Sequence, residues 1–465
     1  MLQIFEILSS ELSAIWTAPK HNSKINIEEA KTGLNFVSLG EVASRVSGQY
    51  IPEYTEVGVP YLRVDNIRQL IANFSEGDVA FISEVDASRL WKRYKCTPSD
   101  ILISRTASLG KAVLTTSHFS SITLSQHVTA IRIKEEAPVL PSTVCLFLNS
   151  ALGKSQLNSN AMGSTRLELS HAALEEIQVP LLPMELQNKY YDQLTSTLEK
   201  YYDLFYKIKD LLIETDNLLF KNKLLEMSFS RSYEVFSTET SQLDEYWFPN
   251  RYLPKKQSIL KELELDFSCL KISDFADVSR GKGTNVSEYE KDGIPFLRTS
   301  SLINNGVDPF TDHYANQETY KKFSQPILDG DILFSMEGKI GQVALLFEKS
   351  QVVFKNHIEL IRIKNMVSSF KDSKGLSGWL FLVLSGTLGK IQIQKNAVVQ
   401  STLPGLASRL RDFIIPISSI GSPFETDQMV DLGEKAFQYL TEYMEVILDL
   451  RKLQISFDSD LLSNE

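Results

Sequence analysis

Two arginines stand at matched places in this chain: Arg63 closes the run GVPYLR and Arg298 closes GIPFLR. An arginine at a strand end can grip a phosphate or pair bidentately with guanine O6 and N7. A salt bridge to a neighbouring carboxylate is the competing use. Matched glycine turns lie upstream, Ser47-Gly48-Gln49 and Arg280-Gly281-Lys282-Gly283-Thr284. Glycine lets backbone approach a ligand closely, and the second turn adds two cations, Arg280 and Lys282. A plain surface hairpin is the alternative. Two further loops, 105–111 and 336–342, follow apolar strands and carry Gly110 and Gly341. Arg105, Lys111 and Lys339 in these loops are candidates for groove or phosphate contacts. Arg105 matches Met336, so a base contact there would not be common to both halves. Lys154, Lys390 and Arg166, the last in the loop 160–169, complete the cationic set.

Residues for bond-making chemistry are absent from this pattern. His127 and His357 recur just before the matched IRIK runs, but no acid or cysteine stands at metal-ligand spacing, which favours a structural histidine bonded to a turn. Gly153-Lys154-Ser155 has the tail of a phosphate loop, yet Leu148 occupies the place of its first glycine and the second copy reads Gly389-Lys390-Ile391. The sequence shows no glycine-rich S-adenosylmethionine loop, no Asn/Asp-Pro-Pro-aromatic motif, no Walker pair and no carboxylate–lysine nuclease cluster. Cys96, Cys145 and Cys269 lie far apart and form no CxxC pair, so neither a zinc site nor a disulfide framework is indicated. We expect no cofactor, no metal and no catalytic residue in this chain; catalysis would lie in partners.

The elements that must position these residues occur twice. DILISRTASLGKAVL from Asp100 answers DILFSMEGKIGQVAL from Asp331, and AIRIK answers LIRIK. A period of about half the chain is too long for a solenoid repeat, which runs roughly 20–50 residues. Two copies of one domain in a single chain are indicated, with an internal pseudo-two-fold. In each copy, short runs rich in Val, Ile, Phe and Tyr are cut by Gly, Pro, Asn and Asp, a strand pattern. VPYLRV, ILISRT, AVLTT, TAIRIK and IQVPLL match IPFLRT, ILFSM, QVALLF, IELIRIK and FIIPI. Helical pieces at 142–158 and 376–394 interrupt them, which gives an α+β fold of mixed sheet and short helices.

A purely helical stretch follows each copy. The first runs from Met184 to Met227 with an apolar line at Tyr191, Leu194, Leu198, Tyr201, Phe205, Ile208 and Leu212. The second carries Met429, Leu432, Ala436, Tyr439, Tyr443, Val446, Leu450 and Leu453. Steps alternating three and four make a sustained a/d seam. One such stripe fits an ordinary amphipathic helix; two at equivalent places favour pairing with each other. At 1.5 Å per residue each helix would be on the order of 50 Å long.

Composition is that of a soluble globular chain, with 43% hydrophobic and 23% charged residues among 465. The opening residues lack a basic n-region, and no apolar run reaches the roughly 18 residues of a membrane span. A cytoplasmic protein is expected. A formal net charge of −10 weakens a simple nucleic-acid binder without excluding one, since the potential at a groove decides phosphate binding.

The ordered series of these motifs, occurring twice, resembles the DNA-specificity (S) subunit of type I restriction–modification systems. The resemblance implies two target-recognition domains, each reading one half of a split DNA sequence. It implies antiparallel long helices that set the gap and dock two methyltransferase subunits, with restriction subunits joining. It divides the chain into a first recognition domain with lead-in at 1–183, a central spacer helix at 184–228, a linker and second domain at 229–422, and a C-terminal helix at 423–465. Departures are Pro98-Ser99-Asp100, where the second copy keeps Gly330-Asp331, and a helix-opening glutamine at Gln187 whose counterpart Gln428 falls later. An S-like adaptor in another phage-defence complex, without methylation, is the rival. A self-contained methyltransferase or nuclease is the less supported one.

Overall fold

The computed structural model describes residues 34–106, 109–162, 167–221, 254–283, 289–290, 293–400, 403–406 and 409–463. It divides into two compact units: unit 1 takes residues up to Tyr202 together with Leu448–Glu465, and unit 2 takes Asp203–Ile447. The division passes through both long helices, so each unit holds a stretch of each.

Unit 1 is closed by β1 (Phe36–Ser38), which pairs antiparallel with β9 (Gln178–Pro180). A short helix α1 (Leu39–Val42) leads into β2 (Ala43–Ser47), and α2 (Glu84–Trp91) follows β3 (Val59–Leu62) and β4 (Ala80–Ile82). The main sheet has the order β2-β8-β5-β6, with β5 (Ile101–Ser104), β6 (Ala112–Leu114) and β8 (Val128–Ile133), all antiparallel. A smaller sheet, β4-β3-β7, pairs β3 parallel with β7 (Thr123–Leu124). Every residue of ILIS in β5 is buried, so this strand is apolar without alternation, as a doubly covered central strand must be. Helix α3 (Pro141–Asn149) packs on β6, with 142–149 buried all round, and α4 (Ala151–Asn160) turns off it at Ser150. Short α5 (His171–Glu175) precedes β9.

Unit 2 repeats this plan. After α7 (Pro254–Asp266), β10 (Phe267–Lys271) pairs antiparallel with β22 (Ile414–Ser419), and α8 (Ile272–Phe275) leads into β11 (Ala276–Arg280). Strands β12 (Ile294–Leu297), β15 (Tyr314–Ala315) and β18 (Val353–Phe354) form the small sheet, again with one parallel pair. Between β12 and β15, β13 (Leu302–Ile303) and β14 (Gly306–Val307) make a hairpin whose turn residues Asn304 and Asn305 have φ of 51° and 62°. Asparagine tolerates that left-handed region. The main sheet is β11-β19-β16-β17, with β16 (Asp331–Ser335), β17 (Val343–Leu346) and β19 (Ile358–Ile363), and α9 (Gln317–Phe323) lies between β15 and β16 in the chain. The core helix pair is α10 (Ser373–Ser385) and α11 (Thr387–Asn396), bent by 60° at Gly386. A hairpin of β20 (Val398–Gln400) and β21 (Leu403–Gly405) follows. Among the described residues no single helix is long and apolar enough to cross a membrane. The apolar α10 fills the core of unit 2, where 375–384 are buried.

The strands expected from sequence are all present, and the order of sheets is the same in the two units. Each expected core helix is a broken pair. The long helices are α6 (Met184–Phe220, 37 residues) and α12 (Pro423–Ser463, 41 residues); the stretch 222–228 expected to extend the first lies outside the described residues. Within unit 1, Tyr190 meets Phe457 edge-on at 5.2 Å and donates to Asp460 Oδ2 at 2.6 Å. Tyr190 is the seam residue, 0% exposed, whereas the expected Tyr191 is half-buried. Within unit 2, Lys207 lies 5.5 Å from the Tyr439 ring and Lys221 3.6 Å from Glu425. Partner numbers fall as α6 rises, so the helices run antiparallel there.

Candidate nucleic-acid interface

The repeated motifs first build the frame. In unit 1, Asp100 is 1% exposed and receives Arg132 Nε and Nη2 at 2.7 Å each, with Thr97 N–H at 2.9 Å and Tyr94 O–H at 2.7 Å. Burial pushes the Asp100 carboxyl up, but these donors outweigh it and hold it below the usual carboxylate range. In unit 2, Arg362 Nε reaches Asp331 Oδ1 at 2.8 Å. The DIL and IRIK motifs are thus the two ends of one cross-strand ion pair. The LGK motif is equally structural. A Cβ on Gly153 would strike the Phe147 carbonyl oxygen, and one on Gly389 that of Leu384, so only glycine lets the second core helix turn so tightly. Three residues on, Gln156 clamps both the N–H and the carbonyl of Gln178, and Gln392 does the same to Ile414. Helix-opening Gln187 is 1% exposed; it accepts from Leu140 N–H and donates to Pro138 and Leu182 carbonyls.

That frame collects loops at one edge of each unit. In unit 1, Gly48 N–H donates to Val128 O, Gln49 N–H to Leu124 O, and Ser125 N–H to Leu62 O beside Arg63. A Cβ on Gly48 would collide with Leu124 O, which explains the glycine. Arg105 N–H donates to His127 O and Leu169 N–H to Arg105 O, joining the loops 105–111 and 160–169. Gly110 sits in that first loop with φ 78°, a region costly for other residues. In unit 2 the same ties recur: Gly281 N–H to Ile358 O, Lys355 N–H to Leu297 O, Met336 N–H to His357 O and Leu406 N–H to Met336 O. The carbonyls of the two histidines receive the end of the central strand, a backbone role open to any residue, and no group of metal-ligating residues is present among the described residues.

Side chains at the two edges differ. Arg63 is half-buried, donates from Nη2 to Asp78 O at 3.2 Å and lies 5.9 Å from the Tyr54 ring. Arg298 is exposed. Arg105 is turned inward, 8% exposed, with Nη1 on Leu169 O and Nη2 on Gln126 O. Its counterpart Met336 is 3% exposed. This position ties loops together, and the base-facing role expected for Arg105 has no free guanidinium behind it. Lys111, Lys154 and Lys390 are half-buried, with Lys154 Nζ on Gln69 at 2.7 Å; Lys282 and Lys339 are exposed. Arg280 is exposed but pairs with Glu359 at 3.3 Å. Burial holds the Glu359 carboxyl above its usual range, against the pull of Arg280. Arg166 lies outside the described residues. Sequence reasoning missed His313: its carbonyl receives Phe296 N–H, so it sits beside β12 and its Arg298. Exposed Tyr50, Tyr54 and Val57 next to Gln49 were also missed.

A family model of the type I restriction modification DNA specificity domain matches residues 32–212 and 264–422. The chain belongs to this specificity family. Members are DNA-recognition subunits without catalytic activity, and two specificity domains in one chain fit bipartite recognition. Similar solved structures include the type I restriction–modification S subunit from M. genitalium, 12% identical over 93% of this chain and 96% of that one, TM-score 0.37. The HsdS subunit from Thermoanaerobacter tengcongensis is 13% identical over 93% and 97%, TM-score 0.27. The assignment rests on the family match and not on these scores. A search of curated proteins gave no match.

Proposed function

We propose that each unit of this specificity subunit reads one half of a split DNA sequence, through the loop edge built around Gly48–Gln49 and Arg63 in unit 1 and around Arg280–Lys282, Arg298 and Lys339 in unit 2. Helices α6 and α12 set the interval between half-sites and dock methyltransferase subunits, with restriction subunits joining that assembly. The observation that carries this reading is the twofold occurrence of one frame, with matched loops at the same edge of each unit. Half-sites about one helical turn apart, near 34 Å, would present successive major grooves on one face. Lys111, Lys154 and Lys390 are assigned to the same phosphate-facing set.

The test is sequencing of modified bases in cells with and without the chain. A bipartite methylation motif should vanish on deletion; persistence of every motif would sink the restriction–modification reading. Lengthening α6 and α12 together by a few residues should change the gap and leave the half-sites. Altered half-sites would contradict the interval role.

A further inference from the structure

Charge at the two edges differs position by position. Cross-strand register pairs Ser47 with Thr129 in unit 1 and Arg280 with Glu359 in unit 2. On that register Gln49 corresponds to Lys282 and Ser125 to Lys355, while Arg63 corresponds to Arg298. Backbone ties gather the unit 2 cations. Lys355 is tied by its N–H to Leu297, next to Arg298; Gly283 lies against Asn356; Gly338, next to Lys339, lies near Thr299. Arg280, Lys282, Arg298 and Lys339 are exposed and Lys355 is half-buried. Partial burial first, and then Arg298 and Lys355, hold His313 below its usual pKa, with Asp312 opposing. Both cations are thus close enough to β12 to act on the His313 ring, although burial is the larger cause of its shift.

Among the described residues, Glu359, Glu337 and Asp312 temper this edge. Glu359 takes Arg280, and Glu337 Oε2 lies 2.6 Å from His357 Nδ1. Among the described residues no ion pair engages Lys282, Arg298 or Lys355, and Lys282 Nζ donates only to a carbonyl, Ser324 O, at 3.4 Å. In unit 1, by contrast, Arg105 is buried, Arg63 bonds a carbonyl, and Arg45 is paired with Glu175 at 2.7 Å. Around Gln49, unit 1 exposes Tyr50 at 63%, Tyr54 at 52% and Val57 at 82%, with acidic Glu53 and Glu56 between them, together with exposed Arg93, which lines the same small pocket as Gln49.

We propose that the salt-sensitive grip on DNA phosphates resides mainly in unit 2, while unit 1 meets its half-site with fewer cations, Arg63 and Arg93, beside the contacts of Gln49, Tyr50 and Tyr54. This rests on the DNA-reading function above and adds a division of labour to it. Each phosphate neutralised on duplex DNA contributes about −0.9 to the slope of log K against log salt. The slope should therefore follow the unit 2 cations.

The experiment measures that slope for the full-length chain on a blunt duplex of arbitrary sequence. Combining Lys282→Gln, Arg298→Gln and Lys355→Gln should flatten it by about two to three, and Arg63→Gln by less than about one. In the opposite direction, Gln49→Lys should steepen it by about one, a gain that misfolding cannot mimic. The proposal is overturned if the triple variant changes the slope no more than Arg63→Gln does, or if Gln49→Lys leaves it unmoved. A wild-type chain that binds no duplex at all would overturn the DNA reading itself, an outcome distinct from either.

Discussion

In unit 1 the second core helix is capped by its own Ser150, whose Oγ accepts from Gly153 N–H at 3.1 Å. In unit 2 that place is Gly386, which has no side chain to offer, and Asp216 of α6 accepts from Thr387 N–H at 2.9 Å and from its hydroxyl at 2.6 Å. A helix start needs its N–H groups satisfied; the two units meet the need from different parts of the chain. The edges differ in the same manner. The Ser47–Thr129 hydrogen bond at 3.1 Å is replaced by the Arg280–Glu359 ion pair at 3.3 Å, both partners changing together. Other positions are kept: Gly153 and Gly389, Gln156 and Gln392, and the Asp–Arg pairs stand in matching roles. Where backbone contact leaves one residue type, the copies agree. Where a pair of side chains can be exchanged as a unit, they diverge.

Variants can break that comparison. The largest effect is expected from Gly153→Ala and Gly389→Ala, each forcing a methyl into a carbonyl oxygen, about 3 kcal/mol or more. Urea unfolding should show similar losses for the two, and a tolerated substitution in either would mean that the turns are not equivalent. Next come Arg132→Ala and Arg362→Ala, each leaving a buried carboxylate unpaired. Because both arginines are partly exposed, about 2–3 kcal/mol is expected rather than the full buried-pair penalty. Hydrogen exchange in β5 and β16 reports each separately. Asp216→Ala should cost about 1–2 kcal/mol and loosen α11, and Ser150→Ala should cost about 1 and loosen α4; loss of protection in the other unit would refute the separate capping. A double-mutant cycle of Ser47→Arg and Thr129→Glu should show a coupling of about 0.5–1 kcal/mol, the transplanted pair of unit 2.

The smallest effect is in pH. The Asp100 carboxyl lies below its usual range in the folded chain, so the stability it contributes is present above the unfolded carboxylate pKa of about 3.9. It is lost as pH falls through the folded value. Arg132→Ala should flatten that acid limb, as followed by urea midpoints across the window; an unchanged limb would remove Asp100 as its source.

Much of this was legible in the sequence because the strands are apolar runs cut by turn residues, and because each appears twice. DIL and IRIK were both visible, but their meeting was not, since an ion pair between strands β5 and β8 depends on register. The heptad line points to Tyr191, but Tyr190 fills the seam; one residue of helical phase separates them, and both are tyrosines. Short helices α2, α5 and α9 were missed although Ser83, Ser170 and Asn316 cap them on Asp86, Ala173 and Thr319 N–H groups, a signal that N-cap residues do carry. The inward turn of Arg105 was invisible because its partners are the carbonyls of Leu169 and Gln126, which no sequence displays. The cations of unit 2 were legible; that they gather around His313 and β12 was not.

The most direct test of one unit reading one half-site is a chain in which the unit 2 recognition segment also replaces that of unit 1. Its methylation motif, read by modified-base sequencing, should carry the unit 2 half-site twice. Methylation of the unchanged, asymmetric motif would contradict the account.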